Sequence, residues 1–123
     1  MIFTPDMNDG QNIFVFGSNE SGHHHGGAAR VAHIEWGARW ETGFGPTGQS
    51  FAIPTLDWQL GKLPLPAIRH YVARFISYAR LHPELKFLVT KIGCGIAGYA
   101  ESDIAPMFAA SPANCVLPED WKK

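Results

Sequence analysis

The sequence predicts an α/β fold in which a mostly parallel sheet is flanked by helices. Short apolar runs that read as strands alternate with helical patterns along the chain. The runs are nearly continuous, as expected of strands covered on both faces. Two glycine-rich segments each lie between such a run and a following helix. The predicted order is β-loop-α-β-α-β-loop-α-β in one domain spanning 1–123, with 1–12 as a lead-in.

The lead-in is polar apart from Ile2 and Phe3 and is broken by Pro5, Asp9 and Gly10. Ile13–Gly17 is the first strand, a short apolar run. Gly27–Gly37 reads as a helix whose small first residues allow close packing on a sheet, with Gly37 as its stop. Gly43–Gly48 is a glycine-rich loop. Ser50–Pro54 is the second strand, ended by Pro54, which cannot donate to a ladder. Thr55–Pro64 reads as loop. From Pro66 onward, Ile68, Tyr71, Val72, Phe75, Ile76 and Ala79 recur at helical spacing, with Pro83 just past the end. Phe87–Ile92 is the third strand. Asp103 caps a last helix that tolerates Pro106 in its first turn, and Asn114–Leu117 is a short final strand.

With 46% hydrophobic and 17% charged residues, the composition is that of a globular protein. The net charge of −1 supplies no field for nucleic acid, which makes such a partner unlike this chain. The 2 cysteines, Cys94 and Cys115, read as reduced thiols, and no apolar run reaches a membrane span. A cytoplasmic protein without a cofactor or metal is expected. Trp36 reads as core. Trp40, Phe44 and Trp58 flank loops and offer a stacking face for a base, or anchor those loops.

In an open parallel sheet, ligands bind beyond the carboxyl ends of the strands. Both glycine loops leave strands there, so they face a common crevice. The first runs from Gly17 to Gly27 and holds Ser18, Asn19, Gly22 and Gly26; the second is Gly93-Cys94-Gly95-Ile96-Ala97-Gly98-Tyr99. Glycine lets a ligand approach the main chain, and a helix start adds unsatisfied N–H donors suited to phosphate. The second loop matches G-x-G-x-x-G literally, but the chain leaves no room for the remaining strands of a dinucleotide-binding domain. As a P-loop it would need Lys and Ser or Thr where Tyr99 and Ala100 stand. The run His23-His24-His25 invites a metal reading, yet adjacent residues do not converge on one ion, and a hydrogen-bond donor or proton shuttle suits them better. Cys94, between two glycines, is either a thiol nucleophile or a small buried residue.

Taken together, the two loops resemble those of a macro domain, the three-layer α/β/α fold that binds ADP-ribose. Gly17-Ser18-Asn19 through Gly26-Gly27-Ala28-Ala29 is similar to the first macro loop, and Gly93 to Tyr99 to the second. A closer resemblance is to a small macro-like family of phage non-structural proteins, carried by Ser18-Asn19, Gly22 to Ala29 and Gln49 to Thr55. His25 stands where that family has glycine, and Asp9 is the nearest counterpart of the acid that reads adenine.

The resemblance implies binding of ADP-ribose or a related nucleotide diphosphate sugar, with Asn19 at the distal ribose and the Gly93–Tyr99 loop on the diphosphate. A hydrolytic version would cleave an ADP-ribosyl linkage, with Asn19 positioning the ribose and His24 polarising a water or the leaving group. The alternative is an interaction or nucleic-acid-associated accessory protein, its contact face formed by Arg69, Arg74 and Arg80.

Overall fold

The apolar run at Ile13 becomes the middle of a five-stranded sheet. The computed structural model describes residues 11–24 and 26–121; all but the end of the predicted lead-in lies outside them. The strands are β1 (Asn12–Asn19), β2 (Gly45–Thr47), β3 (Ser50–Leu56), β4 (Lys86–Val89) and β5 (Cys115–Val116), in the order β2-β3-β1-β4-β5. The helices are α1 (Gly27–Glu35), α2 (Leu65–Leu81) and α3 (Glu101–Ile104). β1 pairs in parallel with both β3 and β4, and β5 continues the parallel set. Only β2 runs antiparallel, against β3.

Strand alternation sorts the core into two layers. Ile13 and Val15 of β1, Phe51 and Ile53 of β3, and Phe87 and Val89 of β4 pack with Ile68, Val72, Phe75 and Ala79 of α2. Phe14, Phe16, Ala52 and Leu88 face the other way, against Ala29 and Ala32 of α1. The alanines let α1 lie close to the strands. Trp36, at its end, stacks on Phe14 with ring centroids 5.2 Å apart. The α/β class, the helices on both faces and the α2 face match what the spacing predicts.

Departures from expectation have local causes. β2 forms where a loop is expected: Gly45 to Thr47 zips onto β3 as a short edge strand, a position where Pro46 needs no ladder donor. β3 runs past Pro54 to Leu56, because a register irregularity at Ser18/Asn19 of β1 sits beside the residue that lacks an N–H. β1 correspondingly reaches Asn19 rather than Gly17. β4 stops at Val89, since Ile92 turns back to donate to the Thr90 carbonyl at 2.8 Å. Asp103 does not cap the last helix; Ala100 holds the cap position and Asp103 lies inside α3. That helix is one turn long and tightens into a 3₁₀ turn at Ala105–Phe108. Pro106 has no N–H to continue the α ladder, and its ring crowds the preceding turn. A further 3₁₀ turn, Glu119–Trp121, brings Trp121 into the core beside Phe108.

The end of α2 is closed by a distant side chain. Asn114 Nδ2 donates to the carbonyls of Ala79, His82 and Leu85 at 3.0, 3.0 and 3.1 Å. The Ala79 and His82 carbonyls also accept turn bonds from His82 N and Leu85 N, at 3.2 and 3.0 Å, so Asn114 reinforces the end of the ladder, where the regular helical partners run out. Asn114→Ala is therefore expected to cost about 1–3 kcal/mol, read as a lower urea midpoint with an unchanged m-value.

Candidate functional site

Because β1, β3 and β4 are parallel, their carboxyl ends open onto one edge of the sheet, and a cavity of about 320 Å³ lies there. That size falls at the lower end of small-molecule sites. Its wall combines Gly17, Ser18 and Asn19 from β1, His23 and Gly26 from the first loop, and Gly27, Ala28 and Ala29 from the start of α1. Thr55 and Leu56 from β3, Leu60 beyond it, Thr90 to Gly93, and Gly95 to Ala97 complete the wall. The two glycine loops meet: a Cβ on either Gly26 or Gly27 would stand 3.9 Å from Ile96 Cδ1.

The wall offers main-chain donors. Gly26 caps α1 without a side-chain hydrogen bond, so the first-turn N–H groups of α1 face this edge with the positive end of the helix dipole. In the second loop, Gly98 N donates to the Gly95 carbonyl at 2.9 Å and Tyr99 N to the Gly93 carbonyl at 2.8 Å. Those bonds fold the loop on itself and leave the N–H groups of Gly95, Ile96 and Ala97 without acceptors among the described residues. Lys91 and His23 are the titratable side chains on the wall, and no carboxylate lines it among the described residues. Glu20, next in sequence to Asn19, turns its carboxylate away and accepts the Tyr71 hydroxyl at 2.7 Å.

Asn19 shapes the first loop as well as lining the cavity. Its Oδ1 accepts from Ser21 Oγ at 2.7 Å and from His23 N at 2.9 Å, while Nδ2 donates to the His23 carbonyl at 2.8 Å. Ser18 Oγ donates to the Gly43 carbonyl, which ties β1 to the chain before β2. Of the residues expected at the site, Gly17, Ser18, Asn19, Gly26, Gly27, Gly93, Gly95, Ile96 and Ala97 are together on the wall.

Gly22, His24, Cys94, Gly98 and Tyr99 are not. His24, expected to polarise a water, is only 2% exposed. Its Nε2 donates to the Arg39 carbonyl at 2.7 Å, and its ring packs on Phe16 and Trp40. The imidazole on the wall is His23. Cys94, within the second loop, packs against the core on the α2 side, where burial pushes its thiol up rather than activating it. Burial likewise raises Cys115, to about 11. Tyr99 donates to the Leu63 carbonyl, with Lys62 Nζ 4.0 Å from its ring centroid. His25 and Asp9 lie outside the described residues. Sequence reasoning overlooked Thr55, Leu56, Leu60 and Thr90 to Ile92; the position of Thr55 and Thr90 at strand carboxyl ends is the signal that finds them.

Of the three aromatic residues considered for stacking, two are engaged elsewhere. Trp40 packs among His23, His24 and His33. Phe44 packs on Phe51 and Tyr71 beneath the Arg74 guanidinium. Trp58 is exposed and lies in the chain between the wall residues Leu56 and Leu60. Lys91 is held by Glu101 at 3.1 Å and Asp120 at 3.2 Å, and Trp121 Nε1 donates to Glu101 at 2.8 Å. The indole bond first, and then Lys91, holds the Glu101 carboxyl below its ordinary value. Among the described residues no group of three His, Cys, Asp or Glu side chains is placed to hold a metal ion, and no helix is long and apolar enough to cross a membrane. Comparison with protein-family models, with curated proteins and with solved structures finds no match to this chain.

Two outcomes follow from this geometry. Gly22 has φ +74°, and a Cβ there would lie 2.3 Å from Thr42 N, a main-chain atom that cannot swing aside. Gly22→Ala is expected to destabilise the protein by about 2–4 kcal/mol in urea unfolding. The lowered Glu101 pKa contributes stability above the ordinary carboxylate range and loses it as pH falls through the folded-state value. Between about pH 5 and pH 3, Glu101→Gln should therefore lose less stability than the wild type, modestly so for a half-exposed pair.

Proposed function

We propose that this chain is a macro-domain-like module that binds ADP-ribose or a related nucleotide diphosphate sugar at the carboxyl edge of its sheet. The observation that carries the reading is the convergence of both glycine loops on one cavity, with main-chain donors from each. Gly95, Ile96 and Ala97 supply amides from one side, and the first turn of α1 supplies them from the other. Together they suit a diphosphate, whose charge is spread over several oxygens. Asn19, at the end of β1, retains one Nδ2 proton beyond its bonds within the loop, a donor suited to a ribose hydroxyl.

Recognition, rather than hydrolysis, is the activity this wall favours. Among the described residues it carries no carboxylate to act as a base, and its cation Lys91 is already paired. Were an ADP-ribosyl linkage cleaved here, the imidazole placed to move a proton would be His23. The accessory-protein reading finds less support, because two of its three arginines are engaged. Arg74 covers the Phe44 ring at 4.5 Å, and Arg80 donates to the Ala110 carbonyl at 2.7 Å.

Calorimetric titration of the full chain with ADP-ribose tests the reading. A Cβ on Gly95 meets no atom within 4 Å, so Gly95→Val should fold normally and place its methyls on the cavity wall. Its expected affinity is lower by about tenfold or more, with an unchanged thermal midpoint. Undiminished affinity in that variant, or no binding to the folded wild type at millimolar ADP-ribose, overturns the proposal.

A further inference from the structure

The polar side chains on the cavity wall are largely committed to the protein itself. Thr55 Oγ1 donates to the Ser18 carbonyl at 3.3 Å and Thr90 Oγ1 to the Val15 carbonyl at 2.8 Å. Ser18 donates to Gly43, and the Lys91 ammonium is shared between two carboxylates. Reading a base by its edge takes both donors and acceptors arranged to match it, and unmatched bases are rejected because such groups are left unpaired. Beyond the Asn19 amide and the His23 imidazole, what the wall presents among the described residues is main-chain N–H and apolar surface.

The apolar surface is held out at a conformational cost. Leu60 and Ile96 line the cavity yet are 55% and 75% exposed. Leu60 has φ +65°, in the left-handed region, where a residue with a Cβ is disfavoured by about 1–2 kcal/mol. The turn around it is over-determined. Asp57 Oδ1 accepts from both Gln59 N and Gly61 N at 2.8 Å, Asp57 N donates to the Gly61 carbonyl at 2.7 Å, and Leu60 N donates to the Asp57 carbonyl at 3.1 Å. Glycine would satisfy this backbone without strain, so the strain at this position comes with the leucine side chain and not with the turn. Its place on the cavity wall sets that side chain beside the main-chain donors proposed for phosphate, where the apolar part of such a ligand would lie.

We infer that Leu60 and Ile96 determine specificity by receiving the heteroaromatic base through contact alone, so that the site takes nucleoside diphosphate sugars as a class without discriminating between bases. The inference rests on the nucleotide-binding reading above and narrows it. Contact with a π-face is tolerant of sequence because every base has one. Affinity is then divided between a diphosphate term from the loops and an apolar term from the rim.

The test is calorimetry on the full chain with ADP-glucose, GDP-glucose, UDP-glucose and inorganic pyrophosphate. The three sugar nucleotides should bind within about fivefold of one another, and pyrophosphate about tenfold or more weaker. Leu60→Gly relieves the backbone and removes the side chain, so it should keep or raise the thermal midpoint. It should weaken all three sugar nucleotides by about fivefold to tenfold and leave pyrophosphate unchanged. Ile96→Ser, at an exposed position, should act in the same direction. A preference of about twentyfold or more for one base overturns the inference while leaving nucleotide binding intact. So does sugar-nucleotide affinity that neither variant changes. Failure of all four ligands to bind overturns this inference, and failure of ADP-ribose as well overturns both readings.

Discussion

Parallel pairing of β1 on both of its edges is the constraint on which the rest depends. It buries the strand on both faces, which demands apolar residues at successive positions, and Ile13 to Phe16 meet that demand. It also sends the chain out at the same sheet edge after β1, β3 and β4. Each return to the sheet then needs a crossover, and α1 and α2 make theirs over opposite faces. The cavity is a by-product of that arrangement. Three strands end side by side, and glycine at Gly17 and Gly93 lets their exits run close together without side chains filling the space.

The chemistry of the edge follows from which groups the fold has already used. Hydroxyl, carboxamide and ammonium groups near the cavity mostly stabilise the loops that surround it. Asn19 is the clearest case, since the same amide that faces the cavity also closes the turn leading to His23. Main-chain amides remain for a ligand, because a glycine-rich loop folded through Gly98 and Tyr99 spends few of its own. Rigid positioning thus falls mostly to side chains, while the proposed diphosphate contacts fall to main-chain amides.

Much of this was legible in the sequence where a periodic signal existed. The helical spacing from Ile68 to Ala79 gives the buried face of α2, and the apolar runs give β1, β3 and β4. The convergence of the glycine loops could be read from the parallel-sheet rule alone. Other features rest on tertiary context. β2 has Thr47 as its one strand-favouring residue and exists because β3 offers it a free edge. His24 and His23 are adjacent and chemically identical, so no sequence pattern says which turns inward; the Phe16 ring and the Arg39 carbonyl, which engage His24, decide it. The cap by Asn114 spans more than 30 residues to Ala79, a distance at which local rules are silent. Leu60 is hidden in the sequence for the opposite reason, since a leucine gives no hint of a left-handed backbone.

The two borders of the sheet also shape how copies of the chain behave toward one another. A strand at a sheet border carries unpaired N–H and C=O groups that can recruit a strand from another molecule, the first step toward aggregation. Here one border is β2, 3 residues long with the exposed Pro46 at its centre, and the other is β5, only 2 residues long. Proline removes a donor, and strands this short provide little template. The highly apolar strands that the parallel core requires are therefore kept inside borders poorly suited to intermolecular pairing.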